Sequence, residues 1–131
     1  MIYGIGADIV RIQRMAKNLD RYGERFAQRI LTEAELVAFR KSSTQPQFLS
    51  KRFAAKEATA KALGTGFRNG LSLRDIGVSN DTLGKPMLDF SPRAQERLLV
   101  AGVGGAHLSL SDEQEYAIAY VVLERVNLEK S

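Results

Sequence analysis

Apolar and polar positions along the chain change period several times. It opens with IYGIGADIV, an apolar run holding two glycines, which predicts a first strand leading to Asp8 near its end. RIQRMAKNLDRYGERF then switches to helical spacing. Ile12, Met15, Ala16 and Leu19 recur on one side, while Arg11, Arg14 and Arg21 fall along another. Gly23 ends or bends that helix. In LTEAELVAFRKS, Thr32 stands three positions before Glu35, the reciprocal pattern that satisfies two orphan backbone donors, so a second helix is predicted from Glu33 to Lys41. STQPQ reads as a loop. The alanine-rich run from Phe48 to Leu63 is the longest helical segment, closed by Gly64, and GTGFRNG after it is a glycine-punctuated loop.

Further on, DIGVSND and KPMLDF read as two short strands around turn residues from Asp81 to Pro86. SPRAQERLLVAG is a helix with Ser91 as cap and Pro92 at its first position. HLSLS and YAIAYVVLE are two strands joined by the polar turn DEQE, an antiparallel hairpin. The order βαααββαββ predicts an α+β fold, a mainly antiparallel sheet packed against helices. With 131 residues and no repeat or linker, the whole chain, 1–131, is expected to be one domain. The terminal LEKS is expected to fray.

Composition narrows the function classes. Apolar residues make up 44% and charged residues 26%, which fits a globular protein and neither a disordered nor a collagenous one. The absence of cysteine excludes disulfides, thiolate metal sites and cysteine nucleophiles. No basic leader or bilayer-length apolar run is evident, so a cytoplasmic protein without a membrane partner is expected. The net charge of +4 is unevenly spread: residues 11–56 hold eleven Lys or Arg against four Asp or Glu. Such a patch suits an anionic partner: nucleic acid, a phosphorylated ligand or an acidic protein.

Candidate chemistry gathers in KRFAAKEATAKALGTG. Phe53, Glu57 and Lys61 are each four apart and stack along one side of the helix. Two readings fit Glu57 and Lys61. One is a solvated ion pair contributing about 0.3 to 0.5 kcal/mol. The other is a carboxylate drawn inward by the small alanines around it, needing a cation or donors nearby. Asp8 likewise reads either as a cap of the next helix or, with Glu57, as an oxygen ligand for Mg²⁺, which uses one or two carboxylates and completes its shell with water and phosphates. Lys61 would then reach the same phosphates. The glycines Gly64, Gly66 and Gly70 follow the lysine helix, so they make no phosphate loop, and Gly64 is a helix C-cap. His107 and Ser109 share a strand face, but one histidine makes neither a histidine-based zinc site nor, without a suitably spaced acid, a triad.

GIGADIV, KRFAAKEATAKALGTG and HLSLSDEQEYAIAYVVLE together resemble the short bacterial phosphopantetheinyl transferases of the holo-[acyl-carrier-protein] synthase family, as do RNGL and LGKP. The resemblance spans nearly the whole chain. It implies the 4′-phosphopantetheinyl transferase fold and a reaction in which a serine hydroxyl of apo acyl carrier protein attacks the β-phosphorus of coenzyme A and 3′,5′-ADP leaves. It implies Mg²⁺ held by Asp8 and Glu57, and a Lys61 that neutralises the pyrophosphate and helps the leaving group. Glu57 and Lys61 are thus the catalytic candidates, with Glu57 and a metal-bound water both open as the serine base. Arg52, Lys61, Gly64 and His107 match segments that contact the nucleotide and phosphates in relatives. Arg14, Arg21 and Arg25 match the surface offered to the acidic carrier protein. A homotrimer with sites between subunits, and a place in fatty acid and lipid biosynthesis, also follow from the resemblance. The competing class is a small basic RNA-binding module. The lack of tryptophan and of an aromatic pattern on the strands counts against it, so no nucleic-acid partner is expected.

Overall fold

Two glycines in the first strand set how closely the longest helix can approach. The structure, a computed structural model, describes residues 1–68 and 70–127; Asn69 of the RNGL motif and the terminal LEKS lie outside the described residues. In chain order the elements are β1 (Ile2–Arg11), α1 (Ile12–Tyr22), α2 (Glu24–Ile30), α3 (Glu33–Lys41), α4 (Gln45–Leu63), a 3₁₀ turn (Leu73–Asp75), β2 (Ile76–Asn80), β3 (Pro86–Phe90), α5 (Pro92–Ala101), β4 (Val103–Asp112) and β5 (Tyr116–Arg125). Strands β1, β5 and β4 form one antiparallel sheet in that order, and β2 pairs antiparallel with β3 in another. The expected α+β architecture is therefore present, with its strands divided between two sheets.

Helix α4 lies against the larger sheet. A Cβ on Gly6 would run into the carbonyl oxygen of Ala58, and one on Gly4 into that of Ala62. Glycine stands at both positions because helix backbone, not side chain, meets the strand there. Ala54, Ala55, Ala58 and Ala62 are the buried counterpart on the helix, and Ala117, Ala119, Val121 and Leu123 of β5 are fully buried on the same sheet face. Strand alternation sends the intervening residues to the other face. There Ile5, Ile9 and Tyr120 are 64%, 59% and 55% exposed, an apolar surface that the described residues leave uncovered.

Local signals place the helix ends. Thr32 and Glu35 exchange both bonds of the capping box at the start of α3, and Ser91 Oγ accepts from the Ala94 N–H ahead of α5. The first helix differs from expectation, because Gly23 at φ +65° divides it in two. That turn lets Ile12 and Met15 of α1 and Ala27 and Ile30 of α2 all enter the core. Helix α4 also begins at Gln45 rather than Phe48. Pro46 belongs to its first turn, where a missing N–H costs nothing. Among the described residues no helix is long and apolar enough to cross a membrane.

Candidate active site

Asp8 sits on the β1 face that meets α4, in register with buried Ala119. It caps no helix, since β1 runs on to Arg11, which is itself the N-cap of α1. Close packing of α4 on Gly4 and Gly6 instead brings Asp8 to Lys61, 53 residues away in sequence, with Nζ 2.8 Å from Oδ1. The same ammonium donates to the Ala7 carbonyl at 3.1 Å. Glu57, one helical turn before Lys61, is half-buried. Burial raises its pKa, and the charge of Asp8 raises it further, while Lys61 and Arg14 pull the other way. The expected inward displacement of Glu57 is therefore present in part, and its companion is Asp8.

Two carboxylates that repel each other beside a lysine form a donor set suited to a hard cation. Among the described residues no group of three or more His, Cys, Asp or Glu side chains is placed to hold a metal. A Mg²⁺ at Asp8 and Glu57 would thus draw the rest of its shell from water and substrate phosphates, which is the habit of that ion. The residues fit the group.

Arg52 lies on another side of α4, with Lys56, away from the stripe that carries Glu57 and Lys61. Lys56 is wholly buried and donates to the Ile30 carbonyl and to Glu35 Oε1, both at 2.6 Å. Glu35 Oε2 accepts from the Val78 N–H at 3.0 Å, and Arg52 Nε stands 3.8 Å from it. Burial lowers the pKa of Lys56, with the charge of Glu35 holding against it. The Arg52 guanidinium rests on the Phe48 ring, 3.6 Å from its centroid, and its buried Nε has no hydrogen-bond partner among the described residues. Arg52 borders a cleft of about 550 Å³ together with Thr32, Glu35, Arg74, Asp75 and Asn80. Sequence reading took Glu35 as a cap only and Lys56 as one of a basic run. Nothing local marks this pair, because both partners have ordinary solvent-facing uses.

Asp75 is a second polar centre that the sequence did not reveal. Its carboxylate accepts from Arg93, from Ser91 Oγ, and from both the N–H and the hydroxyl of Ser72. Burial alone would raise its pKa, but these bonds outweigh burial and hold it at about 2. They tie the end of the glycine loop to the start of α5. Gly64 caps α4 at φ +85°, as expected, with its N–H on the Ala60 and Lys61 carbonyls.

His107 does share a strand face with Ser109, on the side of the sheet opposite Asp8, and its Nε2 lies 3.3 Å from Glu124 Oε2. Within one chain it is not beside Glu57. Arg14, Arg21 and Arg25 are all exposed. Arg14 is near enough to Glu57 to affect it, while Arg21 and Arg25 line a cleft of about 450 Å³ with Tyr22, Phe26 and Arg29.

The family profile described as the 4′-phosphopantetheinyl transferase superfamily matches residues 4–121. The chain belongs to that superfamily. A holo-[acyl-carrier-protein] synthase of Halorhodospira halophila is 55% identical over 123 residues, covering 94% of this chain and 98% of that protein. The crystal structure of the Neisseria meningitidis holo-[acyl-carrier-protein] synthase is 46% identical, with a TM-score of 0.92 over 95% of this chain and all of that one (100%). The Bacillus anthracis synthase, solved in complex with CoA (3′,5′-ADP), is 42% identical, with a TM-score of 0.81 over 96% of this chain and 99% of that one. The two antiparallel sheets and the helices around them are thus those of a phosphopantetheinyl transferase of the short type.

Proposed function

We propose that this chain moves 4′-phosphopantetheine from coenzyme A to a serine hydroxyl of apo acyl carrier protein, releasing 3′,5′-ADP, as a magnesium-dependent cytoplasmic enzyme of fatty acid biosynthesis. The observation that carries the reading is the meeting of Asp8, Glu57 and Lys61 in a chain of this superfamily. Asp8 and Glu57 are the carboxylates to hold Mg²⁺, whose charge, once bound, would offset that of the coenzyme A pyrophosphate. Lys61, at the solvent end of the pair, turns its ammonium to the same phosphates and stabilises the departing 3′,5′-ADP. Phosphoryl transfer depends chiefly on such positioning and charge neutralisation. The serine oxygen bonds to the β-phosphorus as the bond to the 3′,5′-ADP oxygen breaks. The serine proton goes to Glu57 or to a water beside it.

Arg52 and His107 are the residues to hold the nucleotide. Arg52 borders a cleft, with its guanidinium on the Phe48 ring and its Nε 3.8 Å from Glu35, and its assignment to the nucleotide rests on the family pattern. Gly64 lets the backbone turn beside the phosphates at the end of α4. His107 shares a chain with Asp8 without facing it, which supports a site completed by a neighbouring subunit. The uncovered apolar face around Ile5, Ile9 and Tyr120 supports a homotrimer joined through that face. Arg14, Arg21 and Arg25 form the basic surface for the carrier protein.

The test is intact-mass spectrometry of an apo acyl carrier protein incubated with this protein, coenzyme A and Mg²⁺. A gain of about 340 Da is expected from the group transferred. EDTA should abolish it, and Asp8→Ala or Glu57→Ala should slow it by about 10² to 10³, the usual cost of one preorganised electrostatic partner. No mass gain with several competent carrier proteins would refute the function. A full-rate gain in both variants would refute the site.

A further inference from the structure

Lys61 is drawn by the chain itself into the place a cation would take. Its Nζ contacts Asp8 Oδ1 at 2.8 Å and the Ala7 carbonyl at 3.1 Å, so the ammonium already neutralises one of the two carboxylates of the pair. Asp8 is only 16% exposed in its side chain, whereas Lys61 is 55% exposed. The acid is therefore anchored and the lysine is the partner free to leave. A divalent ion approaching Asp8 and Glu57 must displace the lysine or share Asp8 with it, at the cost of repulsion between two cations. With two protein carboxylates, it would also lack most of its ligands until phosphates arrive. The same phosphates would give the displaced ammonium a new partner.

Building on the functional reading above, we infer that Lys61 is a stand-in cation that couples the two ligands: while it holds Asp8 the metal binds weakly, and coenzyme A tightens metal binding by drawing Lys61 away. The coupling is reciprocal, so the metal tightens coenzyme A by the same factor. The lysine then serves two states of one site. It masks a like-charged carboxylate pair in the free protein and meets the pyrophosphate in the loaded one.

The experiment is a Mn²⁺ titration of the intact protein followed by the electron paramagnetic resonance signal of the free ion, with and without coenzyme A, corrected for Mn²⁺ bound by coenzyme A alone. For the unaltered protein, coenzyme A is expected to tighten Mn²⁺ by about 5- to 150-fold, the usual span of coupling between sites. Lys61→Gln should tighten Mn²⁺ in the absence of coenzyme A by about 3- to 5-fold, what a half-exposed ion pair is worth. It should also shrink the coupling factor. Arg14→Gln removes a positive charge that acts on Glu57 without touching Asp8, and so measures the general charge effect. Mn²⁺ affinity no tighter in Lys61→Gln than in Arg14→Gln overturns the inference. So does an unaltered protein in which Mn²⁺ and coenzyme A bind at Asp8 independently of each other, and that outcome leaves the functional reading standing. Absence of coenzyme A binding, or Mn²⁺ binding that survives Asp8→Ala, overturns the functional reading and the inference with it.

Discussion

Lys56→Met removes a buried ammonium while keeping the length of its stem. The lost contacts are the 2.6 Å bonds to Glu35 Oε1 and to the Ile30 carbonyl. Glu35, 3% exposed, keeps the N–H groups of Thr32 and Val78 but loses the cation in contact with it. Breaking a buried pair in this way costs about 3 to 5 kcal/mol, chiefly because a charge is left unpaired. Arg52 remains 3.8 Å from Oε2 and supplies part of the missing attraction, which places the loss near the lower end, about 3 kcal/mol. For a chain of this size that is a fall in Tm of roughly 10 °C. Urea unfolding should be followed at fixed protomer concentration, since any assembly adds stability by mass action. Adding Glu35→Gln to Lys56→Met should recover a good part of the loss by removing the orphaned charge. A loss below about 1 kcal/mol with an unchanged m-value would refute the argument, because the pair would then carry the weight of a surface ion pair.

Three further expectations follow from the same contacts. Gly6→Ala drives a methyl group into the Ala58 carbonyl of the helix backbone, so thermal unfolding should show a loss of about 3 kcal/mol or more, whereas Gly84→Ala, with open space around it, should show only the strain of its positive φ, about 1 to 2 kcal/mol. Asp75 has its folded pKa depressed from 3.8 to about 2, so its contribution is present above the unfolded value and lost as pH falls through that window. After discounting for solvent screening, the stability gap between the protein and Asp75→Asn should be about 1 to 2 kcal/mol near neutrality and should close toward pH ~2; a gap that widens on acidification would contradict the sign. Arg21→Glu with Arg25→Glu should slow association with the carrier protein by about tenfold or more at low salt, measured by stopped flow, and an effect unchanged by added salt would exclude electrostatic steering.

The starts of α3 and α5 and the terminal hairpin were legible because their determinants lie within a few residues of one another. Thr32 with Glu35, and Ser91 with Pro92, carry their own cap chemistry, and the alternation in HLSLS and YAIAYVVLE carries its own sheet faces. The division at Gly23 was open in the sequence, since a glycine there permits either a bend or a stop, and packing of both halves on the core chose the stop. Glu57 and Lys61 were visible as neighbours because four residues make one helical turn. That Asp8 is their third member follows only from assembly: two glycines admit α4 to β1, and the approach joins side chains 53 positions apart. Lys56 and Glu35 show the opposite case. In sequence they are a basic residue on a helix and an acid in a cap, and both descriptions hold. Burial turns them into a pair, because a charge removed from water must find its partner inside the protein, and which partner is near is a property of the folded chain alone.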